Sequence, residues 1–145
     1  MVKNKPVLKA YEDLEFINSA DARILRILSE FLEPRSKFRK HKIVDTIVFF
    51  GSARLMSKKK ATAALNRFRT INPRDTSNQK LAEALRNAEH MVRMSRYYED
   101  AVELSRRLTR WSINLRTSGK RFIICTGGGP GIMEAANKGA KLAGG

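Results

Sequence analysis

The chain has 145 residues, of which 42% are hydrophobic and 30% charged, enough for one globular domain of ordinary soluble composition. It contains no secretory signal and no run of about 20 apolar residues, so we expect a cytoplasmic protein that does not bind membranes. Its one cysteine, Cys125, cannot form an internal disulfide, and its two histidines give no zinc-type spacing, so no metal site is expected.

The chain is strongly basic, with 29 Lys and Arg against 14 Asp and Glu and a formal net charge of +15. Such a balance suggests an anionic partner, and a nucleic-acid-binding module using residues 35–42 and 58–60 is one hypothesis. Only residues 35–42 form a dense basic cluster, however, and no recognition motif or interleaved aromatic pattern accompanies it. Dispersed charge of this kind is typical of a solvated surface, so nucleic acid is disfavoured as a partner.

Residues 1–42 are predicted to form a helical N-terminal extension. Within residues 8–33, apolar residues recur at helical spacing and predict a helix. Ser19 or Asp21 is its candidate N-terminal cap, and Pro34 is expected to end it. The apolar face consists of Ile24, Leu25, Ile27, Leu28, Phe31 and Leu32. This face requires a partner.

The remainder, residues 43–145, alternates strands with helices. Residues 43–50 predict a buried strand because they are rich in β-branched and aromatic side chains. Ser57 is a candidate cap for a helix over residues 58–69, and a turn-rich loop follows at 71–78. Residues 79–115 lack Gly and Pro and keep a helical period, as one bent helix or two.

The C-terminal part predicts a second strand and a last helix. Ser118-Gly119 breaks the long helical stretch, and residues 120–125 form the second apolar strand. Pro130 suits the first turn of a helix that continues over 132–142 and stops at Gly144. Both strands are apolar on both faces, as in a parallel sheet covered by helices, yet two strands make a small sheet. We therefore expect a Rossmann-like three-layer α/β fold that is incomplete at its C-terminus.

Two loops follow the two strands. The glycine loop, residues 126–131, can bring backbone N–H groups against a phosphate, with support from the helix dipole. It matches neither the dinucleotide fingerprint G-x-G-x-x-G nor a P-loop, and a tight turn serving only packing is the alternative. The first loop, residues 51–54, should meet it at the carboxyl edge of a parallel pair. There Ser52 and Arg54 could bind an oxyanion, or Ser52 could cap a turn while Arg54 is one more exposed arginine.

The segments FFGSAR (49–54), MSRYYEDAVELSRRLT (94–109) and CTGGGPGIMEAANKGA (125–140) resemble the lysine-decarboxylase-like, or "lonely guy", family, especially its longer bacterial members. The resemblance covers residues 43–145. It implies a phosphoribohydrolase that cleaves the N-glycosidic bond of AMP or cytokinin nucleotides, giving free base and ribose 5-phosphate, without a cofactor and usually as a homodimer or higher homo-oligomer. The implied nucleotide-binding residues are Gly51, Ser52, Ala53, Arg54, Thr126, Gly127, Gly128, Gly129, Gly131 and Met133.

The family's P-G-G-x-G-T-x-x-E motif, and the arginine-lysine helix motif before it, do not occur in these 145 residues. Since the resemblance assigns the catalytic Arg and Glu to those segments, we expect no catalytic residue here and an inactive N-terminal part of a longer enzyme. Glu134 is better explained as an acid near a helix start, and Glu99 and Asp100 as a solvated face. Cys125 is interpreted as a small buried hydrophobe, and Trp111 as core or interface. A nucleotide sensor or carrier of the same fold is the alternative function.

Overall fold

The computed structural model describes residues 8–71, 79–115 and 117–145. The chain divides into two compact units, Met1–Lys42 and Ile43–Gly145. Helices combined with a parallel sheet place it in the α/β class, as predicted, and the turn predicted at 71–78 lies outside the described residues except for Ile71, which is helical. The elements in chain order are α1 (Leu14–Asn18), α2 (Arg23–Lys40), β1 (Thr46–Phe49), α3 (Lys58–Ile71), α4 (Gln79–Ile113), β2 (Ile123–Thr126) and α5 (Ile132–Leu142).

The first unit contains two helices where the sequence predicted one. The carboxylate of Asp13 caps α1 by accepting hydrogen bonds from the N–H groups of Glu15 and Phe16, at 3.0 and 3.1 Å. The guanidinium of Arg26 on α2 donates to the carbonyl oxygens of Ile17 and Ser19, at 2.7 and 2.6 Å. These bonds satisfy carbonyls that the short α1 leaves without helical partners.

The predicted C-terminal end of α2 was wrong, and its start was correct in part. The helix begins after Ala22, but Oγ of Ser19 accepts a hydrogen bond from the N–H of Ala22 at 3.4 Å and so caps the turn that leads into it. It continues through Pro34 to Lys40, although proline removes one helical N–H donor. Strong helix formers follow the proline, and Lys37 pairs with Glu33 one turn earlier, so the second half of α2 is stabilised in spite of that loss.

In the second unit, α3 and α4 agree closely with the sequence prediction. Ser57 caps α3 by accepting a hydrogen bond from the N–H of Lys60 at 3.3 Å. The stretch left open as one helix or two is a single helix, α4, of 35 residues. Its buried positions follow the helical period and are Ala88, Ser95, Tyr98, Ala101, Val102, Ser105, Thr109 and Ser112.

The two strands pair in parallel as predicted, with Thr46 opposite Ile123 and Phe49 opposite Thr126. Both strands are shorter than expected, and the prediction that the first strand is buried was wrong. No residue of either strand is buried, and Val48 is 51% exposed. The reason is that the described residues contain only these two strands, so each strand has a free edge and only α4 and α5 pack on the pair.

The core lies between α4 and α5 and is built from small side chains. Tyr98, Ala101, Val102 and Ala135 form its buried cluster, with Ile132 packed against it. The hydroxyl of Ser105, which is fully buried, donates to the carbonyl oxygen of Ala136 at 2.6 Å. Small residues let the two helices approach closely, and this contact positions the start of α5 beside the sheet.

An ion pair joins the two segments that lead into the strands. Asp45, just before β1, accepts a hydrogen bond from Nε of Arg121 at 2.8 Å and another from the N–H of Phe122. Phe122 has a φ of +54°, a left-handed conformation that is costly for an aromatic residue. Asp45 therefore stabilises both the start of the sheet and an otherwise unfavourable backbone.

We expect Asp45→Asn to lower the stability of the protein at pH 7. The Arg121 guanidinium holds the pKa of the Asp45 carboxyl below its usual value, so the ionised form stabilises the folded state. That stability is present above the unfolded-state pKa of about 4 and is lost as the pH falls through the lower folded-state pKa. Urea melts at pH 7 and at several values below pH 4 should show a flatter acid dependence for the variant than for the wild type.

Asp100→Asn is the matched control for this prediction. Asp100 is exposed on α4, and its carboxylate has no hydrogen bond or ion pair with any residue in the described part of the chain. The control should leave both the stability at pH 7 and the acid dependence close to those of the wild type. An Asp45→Asn protein with an unchanged acid profile would mean that the Asp45–Arg121 pair does not persist in solution.

Candidate functional site

The first loop and the glycine loop emerge from the same edge of the sheet. Phe49 and Thr126 are paired at the carboxyl ends of β1 and β2, so the segments that follow them start side by side. Open α/β sheets bind ligands at this edge. The residues that the sequence singled out in two segments about 75 positions apart are therefore brought together.

The two loops are in direct contact through their backbones. The N–H of Ile132, at the start of α5, donates to the carbonyl oxygen of Ser52 at 3.2 Å. A Cβ placed on Gly131 would lie 2.1 Å from that same oxygen, and one on Gly51 would lie 2.6 Å from Cβ of Ile132. Both contacts are shorter than any side chain allows, so glycine is required at both positions for the loops to meet.

The glycine loop leaves several amides free of protein acceptors. Gly128 and Gly131 have φ values of +74° and +75°, which turn the chain sharply into α5. Within the described residues, the N–H of Gly129 donates no hydrogen bond, and the N-cap Gly131 offers no side chain to the first amides of α5. Pro130 lies before this N-cap and not in the first turn of the helix, where it was predicted. The side chain of Met133 folds back under Gly127 and Gly129.

Thr126 anchors the base of the glycine loop. Its Oγ1 accepts a hydrogen bond from the N–H of Gly128 at 3.1 Å and another from Nδ2 of Asn137 at 2.9 Å. Asn137 belongs to the second turn of α5, so this contact joins strand, loop and helix. Thr126 was predicted as a site residue from the sequence, and Asn137 was not.

In the first loop, Ser52 makes a turn and Arg54 is exposed. Oγ of Ser52 accepts a hydrogen bond from the N–H of Arg54 at 3.2 Å, which is the turn-capping alternative considered for it. Ala53 also contacts the glycine loop, because its Cα would lie 2.9 Å from a Cβ on Gly131. The guanidinium of Arg54 makes no ion pair or hydrogen bond with the described residues, so it can serve an incoming anion.

Glu134, in the first turn of α5, has two neighbours, one on α3 and one on α4. Nζ of Lys60 on α3 lies 3.3 Å from its Oε1. Burial, together with the adjacent Glu134 carboxylate, raises the pKa of the Tyr98 phenol. Lys60 is 74 positions from Glu134 in the chain, and no local pattern indicates such a pair. Tyr98 could have been found through its place in the helical period of α4.

The contacts of the other residues considered for chemistry indicate structural roles. Oε1 of Glu99 accepts a hydrogen bond from the N–H of Lys58 at 3.0 Å, which makes Glu99 a cap for the start of α3. Trp111 packs on Phe122 with 4.9 Å between ring centroids and is 47% exposed, so it is not a core residue. Cys125 is a free, half-buried thiol in β2.

Comparisons with known proteins gave no further identification: no protein-family model, no curated protein and no solved structure matched the chain. Within the described residues, no helix is long and apolar enough to span a membrane. The same part of the chain holds no group of three or more His, Cys, Asp or Glu side chains that could bind a metal.

Proposed function

We propose that this chain binds a nucleoside 5'-monophosphate between its first loop and its glycine loop, as the nucleotide-binding part of a phosphoribohydrolase. The observation that carries the proposal is the backbone contact between Ser52 and Ile132, which joins the two loops at the carboxyl edge of the parallel strands. The motif resemblance supports the same class of ligand, AMP or a cytokinin nucleotide. We also propose that the binding residues are those identified from the sequence in residues 51–54 and 126–133.

The phosphate group is the part of the ligand for which the site is best suited. Free N–H groups in the glycine loop and at the start of α5 point to an anion, and the dipole of this 11-residue helix favours negative charge there. Arg54 adds a guanidinium with no acidic partner among the described residues. Charge-assisted hydrogen bonds from such donors are about twice as strong as neutral ones.

We further propose that β1 and β2 belong to a Rossmann-like three-layer sheet. Their side chains are apolar on both faces, as in strands that helices cover on both sides, yet Val48 and Phe50 are 51% and 78% exposed. Additional strands and helices, from further polypeptide or from a second copy in a homo-oligomer, would bury these residues.

Binding without hydrolysis is the second candidate function, and the surroundings of Glu134 favour it for these 145 residues. Cleavage of the glycosidic bond needs a carboxylate that supports an oxocarbenium-like transition state or activates water. Glu134, in the first turn of α5, forms an ion pair with Lys60 and adjoins Tyr98, and we propose that it has a structural role at the helix start. We therefore expect the chain to bind the nucleotide and to release no ribose 5-phosphate.

Calorimetric titration of the 145-residue chain with AMP and with adenosine tests the proposal. AMP should bind at least about tenfold more tightly than adenosine, because hydrogen bonds to a charged group contribute about 1.5–3 kcal/mol each. A parallel assay for ribose 5-phosphate should detect no product, and its release would contradict the expectation that these 145 residues bind the nucleotide without cleaving it. Equal binding of AMP and adenosine, or no binding of AMP, would contradict the proposed site.

Arg54→Gln provides a variant for the same titration. It should weaken AMP binding about tenfold and leave adenosine binding unchanged, since it removes a charged donor for the phosphate. Arg67→Gln is the matched control, because it removes the same charge from an exposed position on α3 that lies outside both loops. An equal loss in both variants would show a general effect of net charge and would remove Arg54 from the site.

A further inference from the structure

The hydroxyl of Thr126 has both of its lone pairs occupied by protein donors. A threonine hydroxyl can accept two hydrogen bonds and donate one. Oγ1 accepts from the Gly128 N–H at 3.1 Å and from the Asn137 Nδ2 at 2.9 Å. The hydroxyl can therefore still donate one hydrogen bond through its hydrogen.

The hydrogen has one acceptor within the described residues, and that acceptor is a poor one. Oδ1 of Asn137 lies 3.2 Å from Oγ1 of Thr126, farther than Nδ2 of the same amide. One planar amide cannot donate to and accept from a single oxygen with good geometry at the same time. A ligand oxyanion is a stronger acceptor than the amide oxygen, so it would take the hydrogen while Nδ2 keeps its bond.

We propose that Asn137 is a positioning residue that holds Thr126 as a donor to a phosphate oxygen of the bound nucleotide. The inference rests on the proposed nucleotide site and adds a residue that the sequence pattern did not single out. Asn137 and Gly128 fix the oxygen of Thr126 from two sides, and each donor polarises the hydroxyl and strengthens the bond that it gives. Asn137 acts through Thr126 and does not itself contact the ligand.

The groups around the Thr126 hydroxyl favour a phosphate oxygen as the acceptor of its hydrogen. Thr126 begins the loop in which the amide of Gly129 has no acceptor among the described residues, and the same loop leads into the start of α5. All of these groups are donors. A base or ribose edge, which presents donors as well as acceptors, would leave part of the set unpaired.

A double-mutant cycle on the full 145-residue chain tests the proposal. The variants are Thr126→Val, Asn137→Leu and the two combined, titrated with AMP and with inorganic phosphate. Thr126→Val should weaken AMP binding about tenfold, Asn137→Leu about threefold, and the double variant no more than Thr126→Val alone.

Thr126→Ser is the control for the hydroxyl. It keeps this group and should bind AMP within about twofold of the wild type. Asn137 is exposed on α5, so its replacement should leave the thermal midpoint nearly unchanged; Asn137→Ala serves if the leucine variant does not fold.

Each outcome supports the proposal or overturns it. Losses that add in the double variant, or an Asn137→Leu protein that binds AMP and phosphate as the wild type does, would show that Asn137 does not act through Thr126. Coupled losses for inorganic phosphate in a chain that does not bind AMP would support the role of Asn137 and contradict the proposed nucleotide. If the wild type bound neither ligand, both proposals would be overturned.

Discussion

Replacing Gly139 by alanine should lower the free energy of unfolding by about 3 kcal/mol, at the upper end of the usual cost of overpacking a close contact. Gly139 is a buried residue of α5 that faces the main chain of α4. An alanine Cβ there would lie 2.2 Å from the carbonyl oxygen of Val102 and 3.0 Å from the amide nitrogen of Arg106. Backbone atoms cannot rotate away as a side chain can, so the helices must separate. Separation also weakens the 2.6 Å hydrogen bond from Ser105 to Ala136.

Urea melts of Gly139→Ala and Gly144→Ala would measure this effect against a matched control. Gly144 has a φ of +86° and no atom within 4 Å of an added Cβ, so its replacement brings backbone strain alone, about 1 kcal/mol. In an exposed helix, glycine to alanine normally stabilises by up to about 1 kcal/mol. A Gly139→Ala protein more stable than the wild type would therefore show that α4 and α5 are not in close contact.

The parts of the fold that local pattern determines could be predicted from the sequence. The 3.6-residue period and the lack of Gly and Pro identified α4, and the Ser57 cap located the start of α3. Two β-branched segments separated by helices predicted a parallel pair, which in turn predicted that the first loop and the glycine loop would meet. Their backbone contact follows from this register and from the glycines that permit it.

Rules based on a single residue type failed to predict two helix ends. Pro34 was expected to end α2, yet the helix continues to Lys40, with the exposed Glu33–Lys37 pair and helix-forming residues contributing a few tenths of a kcal/mol each beyond the proline. Gly131 rather than Pro130 precedes α5, because only glycine can approach the Ser52 carbonyl so closely. In both cases the outcome depends on contacts that a single-residue rule does not include.

Tertiary pairs between distant residues could not be predicted at all. Lys60 meets Glu134, and Asp45 meets Arg121, across 74 and 76 positions of the chain. Nothing in the sequence around these residues selects their partners from the many other charged side chains. The surroundings of Glu134 were therefore the part of the candidate site that the sequence determined least.

Gly131→Ala should both destabilise the protein and remove nucleotide binding. Its φ of +75° with ψ of −126° is a conformation that costs an alanine about 1–3 kcal/mol. The added Cβ would also lie 2.1 Å from the Ser52 carbonyl oxygen and 2.9 Å from Cα of Ala53. We expect a loss of about 3 kcal/mol or more in stability, since the strain and the steric clash act together. The two loops must move apart, and AMP binding should weaken about 100-fold because several donors lose their common alignment.

Gly127→Ala is the matched control, because it replaces another glycine of the same loop at a position where a methyl group can be accommodated. Gly127 lies in the same loop, has no left-handed φ, and an added Cβ would make only an ordinary 3.6 Å contact with Sδ of Met133. Its replacement should leave stability within about 0.5 kcal/mol of the wild type, as for most surface positions. Chemical denaturation and AMP titration of the two variants therefore compare one added methyl group at two places in one loop. Equal behaviour of the two variants would mean that the backbone contact between Ser52 and Ile132, which glycine at position 131 permits, does not hold the loops together, and the proposed site would lose the observation on which it rests.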